Sequence, residues 1–398
     1  MKALQVDGTW KPKPGYEPTE REKRDRRAVS GDRIYYRPEI RYVDIPVPEP
    51  ADDEVLMRVG GVGVCGSDTT FLGEDDQGYS RYAGHCKLPC VIGHEFAGEI
   101  VKVGKDVTMF QKGDLVTAET MNWCGECEAC RAGMYNQCEN LEEIGFTLDG
   151  GYAQYLTAKE KFCFDISSLV DIYGSREKAL HVGALIEPLA VAYNGIFVRG
   201  GGFRPGSDVV IFGAGPIGLS ALALVKAAGA GRIIVFEKSA PRMELAERMG
   251  ATFVYDIGRL DEEGSCAGRK IRELTEGKGA DVFIEATEFQ RYNIPEIEKA
   301  LAVGAKIIQT GISSKPVVMD VERLQIAGAS YYGTIGSAGH GIWQDVIRLI
   351  AEGRVDPSVY MNPRIYALEE ALEAIRDAAE CTAGKNVVDP SLSICEKR

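Results

Sequence analysis

Val209-Val210-Ile211-Phe212-Gly213-Ala214-Gly215-Pro216-Ile217-Gly218 runs from an apolar, β-favouring stretch straight into a G-x-G-x-x-G spacing, and an Ala- and Leu-rich segment follows. The pattern predicts strand, tight turn and helix. In that setting the first glycine permits the turn, the second lets backbone approach a pyrophosphate, and the third lets helix pack on strand. The helix N-terminus adds unpaired N–H groups and the positive end of a dipole, so an anion is bound by backbone alone. Gly213, Gly215, Pro216, Ile217 and Gly218 are therefore read as a dinucleotide-binding turn, with a ligand-free βα turn as the bland alternative. Val209 to Val225 is a charge-free run of 17 residues, but the glycines and Pro216 break it, and no membrane span is expected there.

Downstream, Arg232 to Glu237 (RIIVFE) ends in an acid about 20 positions after the turn, where a carboxylate accepts hydrogen bonds from a free ribose diol and repels a 2′-phosphate. NAD is favoured over NADP on this ground. Lys238 and Arg242 follow closely, and a cation there tolerates the phosphate. Thr287 lies in Ala286-Thr287-Glu288, a further expected cofactor contact. Strand-like DVVIF, RIIVFE, ATFVYD, DVFIEA and AKIIQT alternate with helical segments from Asp208 onward, which predicts an α/β, doubly wound parallel sheet over 193–338.

Upstream the texture differs. From Leu4 to Val64 short β-rich runs alternate with Pro and Gly, which reads as a β-barrel-like domain over 1–192. Lys11 to Glu39 is rich in charge and proline and reads as a surface insertion, either covering a site or simply solvated. Two amphipathic segments, Ile342 to Ala351 and Leu368 to Ala379, are expected to rejoin the first domain, so 339–398 would make it discontinuous. The length of 398 residues suits two domains, and 45% apolar content is ordinary for a globular chain. The charge, 46 − 59 = −13, opposes phosphate backbones and anionic membranes, so neither nucleic acid nor membrane is an expected partner. The opening MKALQVDGTW mixes Lys2, Asp7 and Trp10 too early for a signal peptide, and a cytoplasmic location is expected.

Cys124, Cys127, Cys130 and Cys138 form C-x2-C-x2-C-x7-C in a polar, Gly-containing loop. Four thiolates close a tetrahedron around Zn2+ and leave no open position, so such a site clamps a loop rather than catalysing. Zinc held in this way contributes roughly 10–16 kcal/mol in finger peptides, enough to order a lobe with little core. An iron–sulfur cluster is the competing reading of the spacing, and a disulfide pair the third.

His94 lies in Gly93-His94-Glu95-Phe96-Ala97-Gly98; elsewhere stand Val64-Cys65-Gly66-Ser67-Asp68 and Leu185-Ile186-Glu187-Pro188-Leu189-Ala190. Together with the glycine turn and the four cysteines, these motifs resemble the zinc-dependent medium-chain dehydrogenases, in their polyol dehydrogenase branch, over nearly the whole chain. The resemblance implies a GroES-like catalytic domain with a zinc lobe at 119–141 beside a Rossmann domain. It implies Cys65, His94 and Glu187 as ligands of a catalytic zinc, with Glu95 able to enter or leave the shell. It also implies Ser67 as the hydroxyl that takes the substrate proton. Many relatives carry a relay histidine where this chain has Thr70. The opening MKAL-x-x-D-x-x-W-x-P-x-P-x-Y-x-PTERE-x-x-x-RRA and the His340 segment are similar to the scyllo-inosose (cyclitol) dehydrogenases. The implied activity is hydride transfer between a secondary alcohol of a polyol or cyclitol and NAD, by a homo-dimer or homo-tetramer.

Two alternatives stay open. One is an amino-alcohol substrate, as in threonine or deoxy-scyllo-inosamine dehydrogenases, which acidic Glu74-Asp75-Asp76 would suit. The other is a non-catalytic NAD-binding protein, which predicts a missing ligand; all of Cys65, His94, Glu95 and Glu187 are present. A zinc-free quinone reductase would lack both the Gly93-His94-Glu95 motif and the cysteine lobe. His85 and Cys86, in a segment from Gly73 to Leu88 that reads as an inserted loop, are not expected to bind metal. Cys90, Cys163, Cys266, Cys381 and Cys395 have no partner spacing and read as ordinary thiols.

Overall fold

A computed structural model describes residues 1–262, 264–313, 315–380 and 384–392. Its contacts divide the chain into two units: Met1–Glu187 with Met361–Glu380 and the residues from Lys385 onward, and Pro188–Tyr360. Cys381 and Cys395 fall outside the described residues.

In the first unit, the largely apolar, Val-rich run Glu54–Gly63, buried at nearly every position, becomes the central strand of a seven-stranded sheet. Glu95–Val103 pairs antiparallel on one side of it and Lys385–Asp389 antiparallel on the other. The register sets Gly63 opposite Glu95 on one flank and opposite Val387 on the other. Three chain segments far apart in sequence thus meet where the central strand ends, two residues before Cys65. The sheet closes over Val55, Met57, Val59, Val62, Phe96 and Ile100, with Ala371, Ala374 and Ile375 of the helix Ala371–Ala379 in the same core.

Lys11–Glu39, read as an insertion, is ordered. Thr19 caps the helix Glu20–Asp25 with a capping box, and Ala28, Ile34, Tyr35 and Cys86 bury a small core of their own. That core ties it to the Gly73–Leu88 segment: Ala28 and Cys86 exchange backbone hydrogen bonds of 2.8 and 3.1 Å, and Lys13 Nζ reaches Asp75 Oδ2 at 2.5 Å.

The second unit is a six-stranded parallel sheet in the order Phe253–Asp256, Arg232–Glu237, Asp208–Phe212, Ala280–Glu285, Leu301–Gln309, Ser330–Gly333. Numbered along the chain this is 3-2-1-4-5-6, the Rossmann order, whose direction reverses between Asp208–Phe212 and Ala280–Glu285. Val210, Phe212, Ile234, Phe236, Phe283 and Ile307 fill one face beneath Ile271, Ile294 and Ile297 of the flanking helices.

The units change over at 187/188 and 360/361, rather than at the 192/193 and 338/339 read from the sequence. The helix Ile342–Ala351, expected to rejoin the first domain, belongs to the second. Trp343, 1% exposed, donates its indole N–H to Ser337 O at 3.2 Å, and Asp345 accepts from Tyr193 at 2.9 Å. Its apolar stripe announces a buried face without naming the surface it meets. The helical stretch Arg176–Arg199 is long and apolar enough to cross a membrane, but 78% of its most apolar window is buried inside the protein, as in a core helix.

Candidate active site

Cys65 ends the central strand's extension and caps the helix Gly66–Phe71, its N–H donating to Asp68 Oδ2 at 2.9 Å. His94 directly precedes, and Glu95 opens, the strand Glu95–Val103. Strand pairing therefore brings the three together: donor atoms of Cys65, His94 and Glu95 lie within 4.8 Å of one another. Glu187, on the first turn of the helix Ile186–Tyr193, is 7% exposed; it stands in the same electrostatic field but is not among that trio.

The site carries more negative than positive charge. Burial by itself would lower the His94 imidazole, but the Cys65 sulfur, Asp68 and Glu187 outweigh it and draw the ring up to about 10. Burial pushes the Glu187 carboxyl up to about 7, against the pull of His94, and Glu95 raises it further. Glu95 Oε2 and His94 Nδ1 are buried without a hydrogen-bond partner, while Glu95 Oε1 accepts from Lys385 Nζ at 2.5 Å. A soft sulfur, an imidazole and carboxylate oxygens converging with unsatisfied acceptors and surplus negative charge fit a divalent zinc ion.

Ser67 Oγ lies 3.5 Å from His94 Nε2, while Thr70 Oγ1 donates to Ser67 O at 2.7 Å and is spent within its own helix. Sequence reasoning missed two groups. Asp68 is fully buried and sets Oδ1 3.8 Å from His94 Nδ1. Lys385, 1% exposed, arrives from 290 residues away. Asp68 follows Cys65 by three positions and was within reach of helix-capping logic; no local signal marks Lys385. A Cβ at Gly63 would collide with Glu95 Oε2 and approach Lys385 Cε to 3.1 Å, so the missing side chain is what houses this pair.

His85, not expected to bind metal, lies between Arg27 Nε at 2.9 Å and Glu143 Oε2 at 2.9 Å. Cys86 is buried, which pushes its thiol far up. The described cysteines Cys90, Cys163 and Cys266 are free thiols. His340 has φ +56° and stands directly before Gly341, the N-cap of Ile342–Ala351.

The four cysteines of the lobe gather as their spacing predicts. Cys124, Cys127, Cys130 and Cys138 place their sulfurs within 4.8 Å of one another. Backbone N–H groups point at them: Glu126 and Cys127 donate to Cys124 Sγ at 3.4 Å, and Cys124 and Asn140 to Cys138 Sγ at 3.3 Å. Those of Glu126 and Cys127 draw the Cys124 thiol down to about 6, the condition of a metal-ready thiolate.

In the second unit Gly213 and Thr287 sit where the strand order reverses; a Cβ on Gly213 would come within 2.6 Å of Thr287 Cγ2. Gly218 packs so tightly on the Gly213 carbonyl that no side chain fits, whereas Gly215, capping the helix Pro216–Ala227, has only Arg242 Nη1 nearby, 3.7 Å from where its Cβ would be. Ile217 follows Pro216 in that helix's first turn. Glu237 Oε2 accepts from Ala214 N at 2.6 Å and Oε1 from Lys238 N at 2.6 Å, so the acid is held at the turn. Thr287 Oγ1 donates to the buried Glu285 at 2.5 Å.

Comparison with known proteins places the whole chain. The alcohol dehydrogenase GroES-like domain family matches residues 51–168, and the zinc-binding dehydrogenase family matches residues 216–352. The scyllo-inosose 3-dehydrogenase of Thermotoga maritima is 34% identical over 94% of this chain and 96% of its own length. The sorbitol dehydrogenase of Bacillus subtilis is 34% identical over 86% of this chain and 91% of its own. A solved structure of an alcohol-dehydrogenase-like protein from Thermotoga maritima superposes with a TM-score of 0.91 at 32% identity, covering 98% of this chain and 99% of that one. The chain belongs to the zinc-binding dehydrogenases, as an NAD-type oxidoreductase of the alcohol and polyol dehydrogenase kind.

Proposed function

We propose that the protein interconverts a secondary hydroxyl of a cyclitol, an inositol-derived ring, with the corresponding ketone, exchanging hydride with NAD. The observation that carries this reading is the meeting of Cys65, His94 and Glu95 around buried, unpartnered acceptors in a chain that matches a cyclitol dehydrogenase over 94% of its length. Cys65, His94 and Glu187 would hold the zinc, with Glu95 in reserve and anchored by Lys385. When bound, zinc acts as a Lewis acid that eases loss of a hydroxyl proton near neutral pH. Ser67 would accept that proton, a role supported by its Oγ lying 3.5 Å from His94 Nε2. With Thr70 committed to Ser67 O, the proton leaves Ser67 by another carrier than this side chain. Glu237 favours the free ribose diol of NAD, and Cys124, Cys127, Cys130 and Cys138 hold the structural zinc.

The reading is tested by following reduced nicotinamide formation with inositols, sorbitol and threonine, with zinc measured on the same sample. Turnover of inositols above the other two, by protein holding two zinc ions per chain, is expected. Fast turnover by zinc-free protein, or preference for threonine, overturns it.

We also infer a homo-oligomer built first as a dimer. The strand Ser330–Gly333 lies at the sheet edge, and Ile312, Val318, Val321 and Ile326 of the same unit are 69–87% exposed, apolar side chains that an interface would cover. Charge placed at Ile326 and Tyr331 should yield monomers by light scattering; an unchanged mass would reject this interface.

A further inference from the structure

Two ligand-bearing elements, the helix start at Cys65 and the turn at Gly93-His94, converge on one buried side chain that no motif marks. Tyr152 is fully buried, and its hydroxyl donates to Asp68 Oδ2 at 3.0 Å. The same oxygen accepts the Cys65 N–H at 2.9 Å. Asp68 Oδ2 is thereby occupied from two directions, which leaves Oδ1 as the oxygen turned to His94 Nδ1, 3.8 Å away; both of these atoms lack another partner. The ring of Tyr152 meets the other element. Gly93 has φ +96°, and a Cβ there would lie 2.8 Å from Tyr152 Cδ2, so the residue before His94 is shaped to this ring. The Tyr152 N–H donates to Ile92 O at 3.0 Å, and the Leu4 N–H donates to Tyr152 O at 2.8 Å, fixing the backbone behind the ring.

We propose that Tyr152 is a positioning residue for the catalytic metal. Its hydroxyl locks the Asp68 carboxylate so that one oxygen braces the Cys65 backbone and the other is presented to the far nitrogen of His94. An imidazole that gives its second N–H to a carboxylate is held in one tautomer and one orientation and becomes a better ligand. Without the phenol, Asp68 can rotate, and a buried carboxylate with four lone-pair sites would lose the hydroxyl that holds Oδ2. The inference rests on the zinc reading given above.

The test uses the full-length zinc-loaded enzyme and Tyr152→Phe, which keeps the ring against Gly93 and removes one oxygen. Zinc release to a chelator is followed together with kcat, KM and thermal unfolding, and the Co2+-substituted protein is compared by its visible spectrum. Release of one of the two zinc ions on the order of tenfold faster is expected, with a shifted cobalt band and lower kcat but unchanged KM for NAD. Asp68→Asn should act alike, and the double variant should be no worse than either single one, as for residues working through one contact. Release at the wild-type rate with an unshifted cobalt band overturns the proposal, even if melting drops. Wild-type protein that holds zinc only in the cysteine lobe, as shown by no loss of metal in Cys65→Ala, overturns the zinc reading and this inference with it. Should Tyr152→Phe fail to fold, Asp68→Asn carries the same expectation and the same overturning result.

Discussion

The ammonium of Lys385 sits 2.5 Å from Glu95 Oε1, and both side chains are 1% exposed. Burial would discharge Lys385, but Glu95 and then Cys65 hold its pKa above the ordinary lysine value. The pair engages one oxygen of Glu95, Oε1, and leaves the other, Oε2, buried and unpartnered. Removing only the cation strands a buried carboxylate, which typically costs about 3–5 kcal/mol. Lys385→Met should therefore lower unfolding free energy by about that much in denaturant titration, and adding Glu95→Gln should restore most of it. Equal losses from the two single variants that simply add in the double would refute the coupling.

The cysteine lobe makes a separate prediction about metal. Its sulfurs already accept backbone N–H groups, so each thiolate has a prepared seat. Cys130→Ala is expected to remove one zinc ion per chain and lower Tm by several degrees, whereas Cys163→Ala, at a buried free thiol outside the cluster, should leave the zinc content unchanged. Metal analysis with calorimetry decides it.

Cofactor preference is expected to follow Glu237. Replacing it by Gln removes the charge that repels a 2′-phosphate while Arg242 remains beside Gly215. The ratio of kcat/KM for NAD over NADP should fall by on the order of tenfold, ~1.4 kcal/mol. An unchanged ratio would assign discrimination to another group.

Acid should loosen the tie between Lys13 and the Gly73–Leu88 segment only at low pH. Lys13 and the Tyr79 and Gln77 N–H groups draw Asp75 from 3.8 down to about 2. A carboxyl with a depressed folded-state pKa stabilises fully above its free-chain value and loses that contribution as pH falls through the folded value. The contribution of Asp75 is thus complete above 3.8 and lost towards about 2. Amide exchange at Tyr79 should quicken over that window, and Asp75→Asn should flatten the dependence.

What could be read from the chain without coordinates divides along a physical line. The glycine turn, the cysteine lobe and the Cys65 and His94 motifs were legible because backbone geometry or ligand spacing is local. Lys385 was not, since its meaning arises only when its strand lies beside Gly63. Tyr152 looks like any core aromatic until its hydroxyl is seen at Asp68. Ile342–Ala351 showed an apolar stripe, and periodicity is the same whichever domain receives it. Lys11–Glu39 read as a surface insertion, covering a site or simply solvated, because charge and proline dominate it, yet Ala28, Ile34 and Tyr35 pack with Cys86 of the Gly73–Leu88 segment in a small buried core.

Gly63 has no donor, acceptor or charge, yet the space beside it is filled by a carboxylate and an ammonium. One methyl group there would push Glu95 Oε2 aside and crowd Lys385 Cε, disturbing the counterweight to the anionic ligands. The metal chemistry of this enzyme is accordingly exposed to mutation at a residue that takes no part in it, and alanine at this position should lower activity.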